Sequence, residues 1–282
     1  MVLEPTPPLN LDQNLGGTPG TGAKWRAILL GTDPDLARAR SVLRHVPAAP
    51  RCKMCAAPFA GPFTGVMGVF GRRRWPKNPK YCGYCFKQLQ THRGGAEIDC
   101  SLLFADIRGS TTLAERMAPA DFGRLMDRFY RVAAEVLIDH DAIVDKFVGD
   151  EVVAIFIPAL AHRHAARAIE AAGALLRATG HSDPRGPWIP VGAGVASGTA
   201  YVGAVGTEAE PELTALGDVV NVAAQLASAA AVGEVLVTSR GAKAAGLQGS
   251  GYETRRLALK GRSEPVDVVV LHVGAADAVV PS

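Results

Sequence analysis

Four cysteines fall in two Cys-x-x-Cys pairs, Cys52 with Cys55 and Cys82 with Cys85. Each turn aims two thiolates at one point, and two turns complete a tetrahedral four-sulfur shell, the closed geometry of structural Zn2+. An iron–sulfur cluster is the alternative occupant of the same ligands. In either case the ion contributes folding energy rather than catalysis. Two aspartates are placed for different chemistry. Asp106 ends the apolar run SLLFAD and leads through Ile107, Arg108 and Gly109 into Ser110 and Thr111, while Asp150 sits at the tip of FVGDEV. A carboxylate at a strand end beside open backbone amides suits Mg2+ held against phosphates. Two such carboxylates could share a pair of ions, one activating an attacking oxygen and the other offsetting phosphate charge.

The elements that must position these groups follow from periodicity. IDCSLLFADI (98–107) is an apolar run of strand length, and Cys100 within it reads as a small buried hydrophobe. Residues 121–140 carry Phe122, Leu125, Met126, Phe129, Ala133, Val136 and Leu137 on one helical face, with Asp121 as N-cap. Residues 141–157 read as two strands joined at Gly149-Asp150. A second amphipathic helix covers 161–179, with His162 and His164 solvent-facing at its start, and two glycine-punctuated strands cover 187–206. A third helix covers 217–230, capped by Asp218, and three strands end the chain. Glu151 reads as structural, pointing to the strand face opposite Asp150. This order predicts an α/β (α+β) sandwich with a mixed or antiparallel sheet.

Ahead of that sheet, residues 1–50 read as a flexible lead with one short helix over 33–46. GGTPGTGAK (16–24) only imitates a phosphate loop, because its lysine does not directly follow the closing glycine and no apolar strand precedes it. The cysteine segment spans 51–95. Its Gly- and Pro-rich interior cannot build a core, so the cysteines must hold it together. Arg72, Arg73, Arg74, Trp75, Lys77 and Lys80 form a basic stretch between the pairs, read as a solvated loop, with contact to nucleic acid as the competing reading. The larger domain spans 96–275 and a tail 276–282. With 30 basic and 27 acidic residues among 282, the formal charge is only +3, and 48% of residues are hydrophobic. These values exclude bulk disorder and do not argue for a polycation. No apolar run approaches the ~20 residues of a membrane helix, and the N-terminus lacks a secretory pattern. The expected location is the cytoplasm.

The blocks LLFADIRGST, DKFVGDEVVAIF, ASGTAYVGAVG, LTALGDVVNVAAQL and LALKG occur in the order found in class III nucleotidyl cyclases, and residues 98–272 resemble that catalytic domain. The resemblance implies a ferredoxin-like βαββαβ core acting as a homodimer, with two active sites at the interface. The implied reaction is ATP to cyclic AMP and pyrophosphate, with the ribose 3′-oxygen attacking the α-phosphate. It assigns Asp106, Asp150 and the Ile107 carbonyl to two Mg2+ or Mn2+ ions per site. It assigns the Arg108, Gly109, Ser110 and Thr111 loop and Lys260 to the phosphates, Lys146 and Thr214 to the base, and Asn221 to the ribose or transition state. Lys146, Thr214, Asn221 and Lys260 should come from the chain opposite the one supplying the aspartates. A lysine with a threonine favours ATP over GTP.

One position departs from the pattern: Gln225 stands where the family carries an arginine four residues after the asparagine. Arginine brings a permanent charge and a donor fork, and losing an oriented transition-state donor typically costs ~10²–10³ in rate. The expectation is a slow cyclase, with Arg108 and Arg124 as candidate substitutes for the missing charge. The alternatives are a nucleotide-binding pseudo-cyclase, and a chain in which the cysteine module binds nucleic acid or protein. An unknown regulator acting through that module is the expected input.

Overall fold

A computed structural model describes residues 21–46, 49–76, 78–91, 94–206, 211–247 and 251–274. The first 20 residues, Lys77 and the tail 276–282 lie outside the described residues. The core is a sheet in the order β4-β5-β3-β6-β8-β10-β9, with β7 also paired to β6. The strands are β3 (Gly94–Ile107), β4 (Ile143–Val148), β5 (Glu151–Phe156), β6 (Val191–Gly206), β7 (Pro211–Leu216), β8 (Glu234–Thr238), β9 (Glu253–Leu257) and β10 (Val266–His272). The helices of this domain are α5 (Ser110–Arg116), α6 (Pro119–Asp139), α7 (His164–Ala178), α8 (Asp218–Ala229) and α9 (Ser239–Ala245). The run β3-α6-β4-β5-α7-β6, with β6-β3-β5-β4 adjacent and antiparallel, is the expected βαββαβ core.

The alternation of β3 builds two hydrophobic layers. Ile98, Cys100, Leu102 and Phe104 face one layer, shared with Val219, Val222 and Leu226 of α8. Leu103, Ala105 and Ile107 face the other, shared with Phe129, Ala133 and Leu137 of α6 and with the alanine-rich side of α7. Residues 191–206 form one continuous strand instead of the two expected. The glycines that looked like breaks are points of close approach: a Cβ on Gly194 would stand 2.4 Å from Ala223 O and Ala227 N of α8. The strand β7 and helix α9 were not expected.

The helix caps differ from expectation. Ala118 is the N-cap of α6, with Pro119 opening the helix, so Asp121 lies in the first turn and pairs with Arg124. Gly217 is the N-cap of α8, leaving Asp218 to pair with Arg262. His164 is not solvent-facing. Its Nδ1 meets Ser101 Oγ at 2.9 Å, and Ser101 Oγ meets Ser197 Oγ at 2.6 Å.

The N-terminal part adds α1 (Thr21–Leu30), α2 (Pro34–Leu43), α3 (Thr64–Val69), β1 (Arg74–Trp75), β2 (Asn78–Cys82) and α4 (Gly83–Thr91). Residues 21–30, expected within the flexible lead, are helical because Trp25, Ile28 and Leu29 bury against β3. The Arg26 guanidinium also donates to Glu97 O at 2.9 Å. The expected helix over 33–46 is α2, capped by Asp33, which accepts from Leu36 N at 2.9 Å.

Candidate functional site

The end of β3 and the β4–β5 turn bring three of the expected metal-facing groups together. Asp106 lies on the Leu102–Phe104 face with its side chain 21% exposed, and it pairs with the Arg108 guanidinium. Gly149 takes φ 58 in the turn, a left-handed conformation that glycine adopts without strain, and this carries Asp150 back toward β3. The Ile107 N–H donates to Asp150 O at 3.2 Å, and the Ser110 hydroxyl donates to Asp150 Oδ2. Tyr130 OH donates to Gly149 O and braces the turn. Gly109, at φ 70, starts α5 and leaves Ser110 and Thr111 in its exposed first turn.

Glu151 pairs with Asp106 across the strands, so these two share a face. Burial first, and then the Asp150 charge, push its carboxyl up. Asp106, the Ile107 carbonyl and Asp150 offer hard oxygen donors along this strand end, and Asp106 is paired with a cationic group, the Arg108 guanidinium. Such a set suits Mg2+ or Mn2+.

The remaining site residues collect elsewhere in the protomer. Thr214 Oγ1, on β7, donates to Asp145 Oδ2 at 2.7 Å. The Lys146 ammonium lies 3.6 Å from the same oxygen. Asn221 is exposed in the first turn of α8. Gln225, one turn on, donates to Lys260 O at 3.1 Å. Arg108 donates to Ser228 O at 2.7 Å, at the other end of α8. Seven residues of helix separate Ser228 from Asn221, about 10 Å. The carboxylate group therefore lies by the C-terminal end of α8 and Asn221 by its N-terminal end, with Gln225 between them, three residues from Ser228.

The cysteine site is of the opposite kind. Its four Sγ atoms lie within 4.8 Å of one another, and all four residues are buried. Cys55 Sγ and Cys82 Sγ are 3.7 Å apart. A tetrahedral shell with Zn–S near 2.3 Å requires S···S of about 3.8 Å, so the residues fit a single ion. Cys82 N–H and Cys85 N–H point at the sulfurs of Cys52 and Cys82, at 3.3 and 3.5 Å. Hydrogen bonds from Cys52, Cys82 and Cys85 push the Cys55 thiol down. Arg72 is turned onto this cluster. Burial opposes its charge, but Cys55, Cys82 and Cys85 outweigh that and push its pKa up. Its guanidinium also stacks 4.4 Å from the Tyr84 ring, and Arg74 lies 5.4 Å from the Phe59 ring. Arg72 is thus engaged in the module itself, whereas Arg73 and Arg74 are exposed. Cys100 is fully buried, and burial pushes its thiol up to about 12.

The module is joined to the sheet by charge. Lys53, inside the first knuckle, pairs with Asp141, and Lys80 reaches Asp139 at 3.2 Å and Asp141 at 3.7 Å. Arg167 of α7 reaches Asp141 from the other side at 3.3 Å, and Asn78 donates to Ala142 O at 3.3 Å. Asp141 is buried at φ 69, in the corner between α6 and β4. Sequence reading missed Asp145 and Asp141. The only local signals were an aspartate directly before Lys146 and another after His140, at the end of a helix.

Residues 96–272 match the family described as Adenylate and Guanylate cyclase catalytic domain. A terminal-differentiation-specific adenylate cyclase of Dictyostelium discoideum is 29% identical over 176 residues, 60% of this chain and 8% of that protein. Adenylate cyclase 1 of Rhizobium meliloti is 32% identical over 149 residues, 48% of this chain and 22% of that protein. An uncharacterised protein of Mycobacterium tuberculosis is 31% identical over 178 residues, 61% of this chain and 32% of that protein. The chain thus matches less than a third of the length of each of these relatives. Among solved structures, the guanylyl cyclase Cya2 aligns with TM-score 0.57 at 23% identity, covering 66% of this chain and 98% of that one. The adenylyl cyclase CyaB from P. aeruginosa aligns with TM-score 0.55 at 24% identity, covering 63% and 95%. No helix among the described residues is long and apolar enough to cross a membrane. With the family's pattern matched over more than half of its length and the same fold around the site, the chain belongs to the adenylate and guanylate cyclase catalytic-domain family.

Proposed function

We propose that the chain is an adenylate cyclase that converts ATP to 3′,5′-cyclic AMP and pyrophosphate at an interface between two copies of itself. The observation that carries this reading is the meeting of Asp106, Ile107 and Asp150 at one strand end, tied by the Ile107 N–H and the Ser110 hydroxyl. Asp106, Asp150 and the Ile107 carbonyl would hold two Mg2+ or Mn2+ ions. When bound, these lower the barrier to deprotonating the ribose 3′-hydroxyl and offset phosphate charge. The Gly109, Ser110 and Thr111 amides orient the phosphates, and Lys260 neutralises their far end. Lys146 and Thr214 read adenine, and Asn221 orients the ribose. The ~10 Å of helix between Asn221 and the Arg108 contact at Ser228 supports their serving one substrate from different chains, as do the exposed apolar side chains Phe147, Val148, Val205 and Leu216.

The chain divides into a lead (1–50), a metal module (51–95), a catalytic domain (96–275) and a tail (276–282). The S···S spacing of 3.7 Å favours a single Zn2+ over an iron–sulfur cluster in the module. The module serves as a regulatory or partner-recruiting element. Thiolate ligands and an ATP substrate support a cytoplasmic location.

Purified protein with ATP and Mn2+ or Mg2+ should release cyclic AMP. No product above that of Asp106→Ala would end the enzyme reading. Gln225 bears on a second one, a pseudo-cyclase that binds nucleotide and signals through dimerisation. Its amide nitrogen is engaged by Lys260 O rather than turned outward, and it carries no charge. Nucleotide binding without turnover would establish that reading.

A further inference from the structure

The base-reading pair is joined by a residue to which no role is assigned. The register of β4 against β5 slips between Val144 and Lys146, so Asp145 is the extra residue of a β-bulge. Bulges re-aim side chains beside functional sites. Here the bulge turns Asp145 inward, leaving its side chain 4% exposed. Oδ2 takes the Thr214 hydroxyl proton at 2.7 Å and lies 3.6 Å from the Lys146 ammonium. Oδ1 is buried with no partner among the described residues. Thr214 is itself only 8% exposed.

We propose that Asp145 is the positioning residue for purine choice, because it fixes the Thr214 hydroxyl as a hydrogen-bond acceptor toward the base. This rests on the reading of Lys146 and Thr214 as base-facing residues. A hydroxyl has one proton and two lone pairs, and left to rotate it serves a donor or an acceptor equally well. An ionised carboxylate accepts only, so the Thr214 proton is committed to Asp145 and only lone pairs remain for a ligand. Lys146, held beside the same oxygen, offers only donors. A 6-aminopurine presents the complementary edge, with a ring nitrogen that accepts and an exocyclic amine that donates. A 6-oxopurine presents the reverse and meets lone pair against lone pair at Thr214. A site whose polar groups are left unpaired by the wrong ligand discriminates far better than one relying on shape.

The test uses the full-length protein and two readouts: kcat/KM for ATP and GTP, and Kd for 3′-deoxy-ATP and 3′-deoxy-GTP. The deoxy compounds lack the attacking hydroxyl, so binding is measured however slow the chemistry is. Wild type should prefer adenine in both. Asp145→Asn, whose amide can present either oxygen or nitrogen to Thr214, should lower the adenine-to-guanine ratio about tenfold, the loss of one oriented hydrogen bond. Thr214→Val should lower it similarly, and the double variant should fall no further. Thr214→Ser should keep the wild-type ratio. If Asp145→Asn does not fold, as judged by circular dichroism, Asp145→Ser replaces it with the same expectations. An unchanged ratio in the Asp145 variant overturns the proposal while leaving the adenylate cyclase reading intact. So does an Asp145 effect that persists in the Thr214→Val background. A wild type that prefers guanine overturns both.

Discussion

The cysteine module and the catalytic strand ends use reactive side chains in opposite ways. The four sulfurs are sealed: Cys52, Cys55, Cys82 and Cys85 are each at most 2% exposed, with backbone N–H groups and Arg72 turned onto them. The proposed catalytic groups are left partly open, with Asp106 21% exposed and Asn221 and Lys260 at the surface. A closed ligand shell stabilises a fold, and an open one leaves room for substrate. The difference also lies in what surrounds each. The module has a two-stranded sheet and short helices, and its buried residues join the layer under β3 rather than forming a core of their own. Asp106 rides on β3, a strand fixed by pairing on both sides, and Asp150 on the turn that enters β5. In the module the ligands make the structure, whereas in the sheet the structure presents the ligands.

The largest expected effect breaks the module. Structural Zn2+ binding carries roughly 10 kcal/mol of folding free energy. Cys52→Ser with Cys55→Ser, or treatment with a strong chelator, should therefore expose residues 51–91 to limited proteolysis, whereas the catalytic domain, with its own core, should stay resistant. Metal analysis should show one ion per chain lost. Simultaneous collapse of both regions would show that the comparison draws the boundary in the wrong place.

The next effect breaks the sheet's chemistry without touching its fold. Asp106→Ala should reduce cyclic AMP formation by about 10³-fold or more with an unchanged melting curve, and the thiol-bound ion should stay in place. Gln225→Arg is the converse change and should raise turnover by about 10²-fold. Unchanged turnover would show that the missing charge is not what limits the rate.

A smaller effect tests the joint between the two regions. Asp141→Asn removes the carboxylate that Lys53, Lys80 and Arg167 share. Those cations are partly exposed, so the cost in urea unfolding should be about 1–2 kcal/mol. The smallest is confined to the far end of the sheet. Glu234 is held below the usual carboxylate range by Arg255, which donates to both its oxygens at 3.0 and 2.7 Å. A depressed carboxyl contributes stability that is full above its unfolded pKa and lost as pH falls through the folded one. The stability gap between wild type and Glu234→Gln should therefore be about 1 kcal/mol at neutral pH and shrink as pH falls below the unfolded glutamate value of about 4.3. A gap that widened in acid would contradict the assignment.

The amino-acid sequence by itself marked which groups are the candidates for chemistry. Cysteine pairs at fixed spacing, an aspartate ending an apolar strand and another at a hairpin tip are local patterns, and local patterns are read from composition and period. The alternation of strands and helices was legible for the same reason, and the βαββαβ core was what the family resemblance implied. Tertiary structure alone decided the rest, because each remaining feature depends on residues far apart in the chain. Glycines 194 and 198 look like strand breaks until α8 lies across β6, and Gly203 until β3 pairs closely against it. Glu151 joins the carboxylates only through the β3–β5 register. Arg72 turns from a solvated cation into a neighbour of the sulfurs only when the two knuckles meet. Asp141 and Asp145 are unremarkable aspartates until a positive-φ corner and a bulge bury them against cations and a hydroxyl from other elements. Burial is what raises the energetic stakes of such polar contacts, and burial is a property of the folded chain, not of its local pattern.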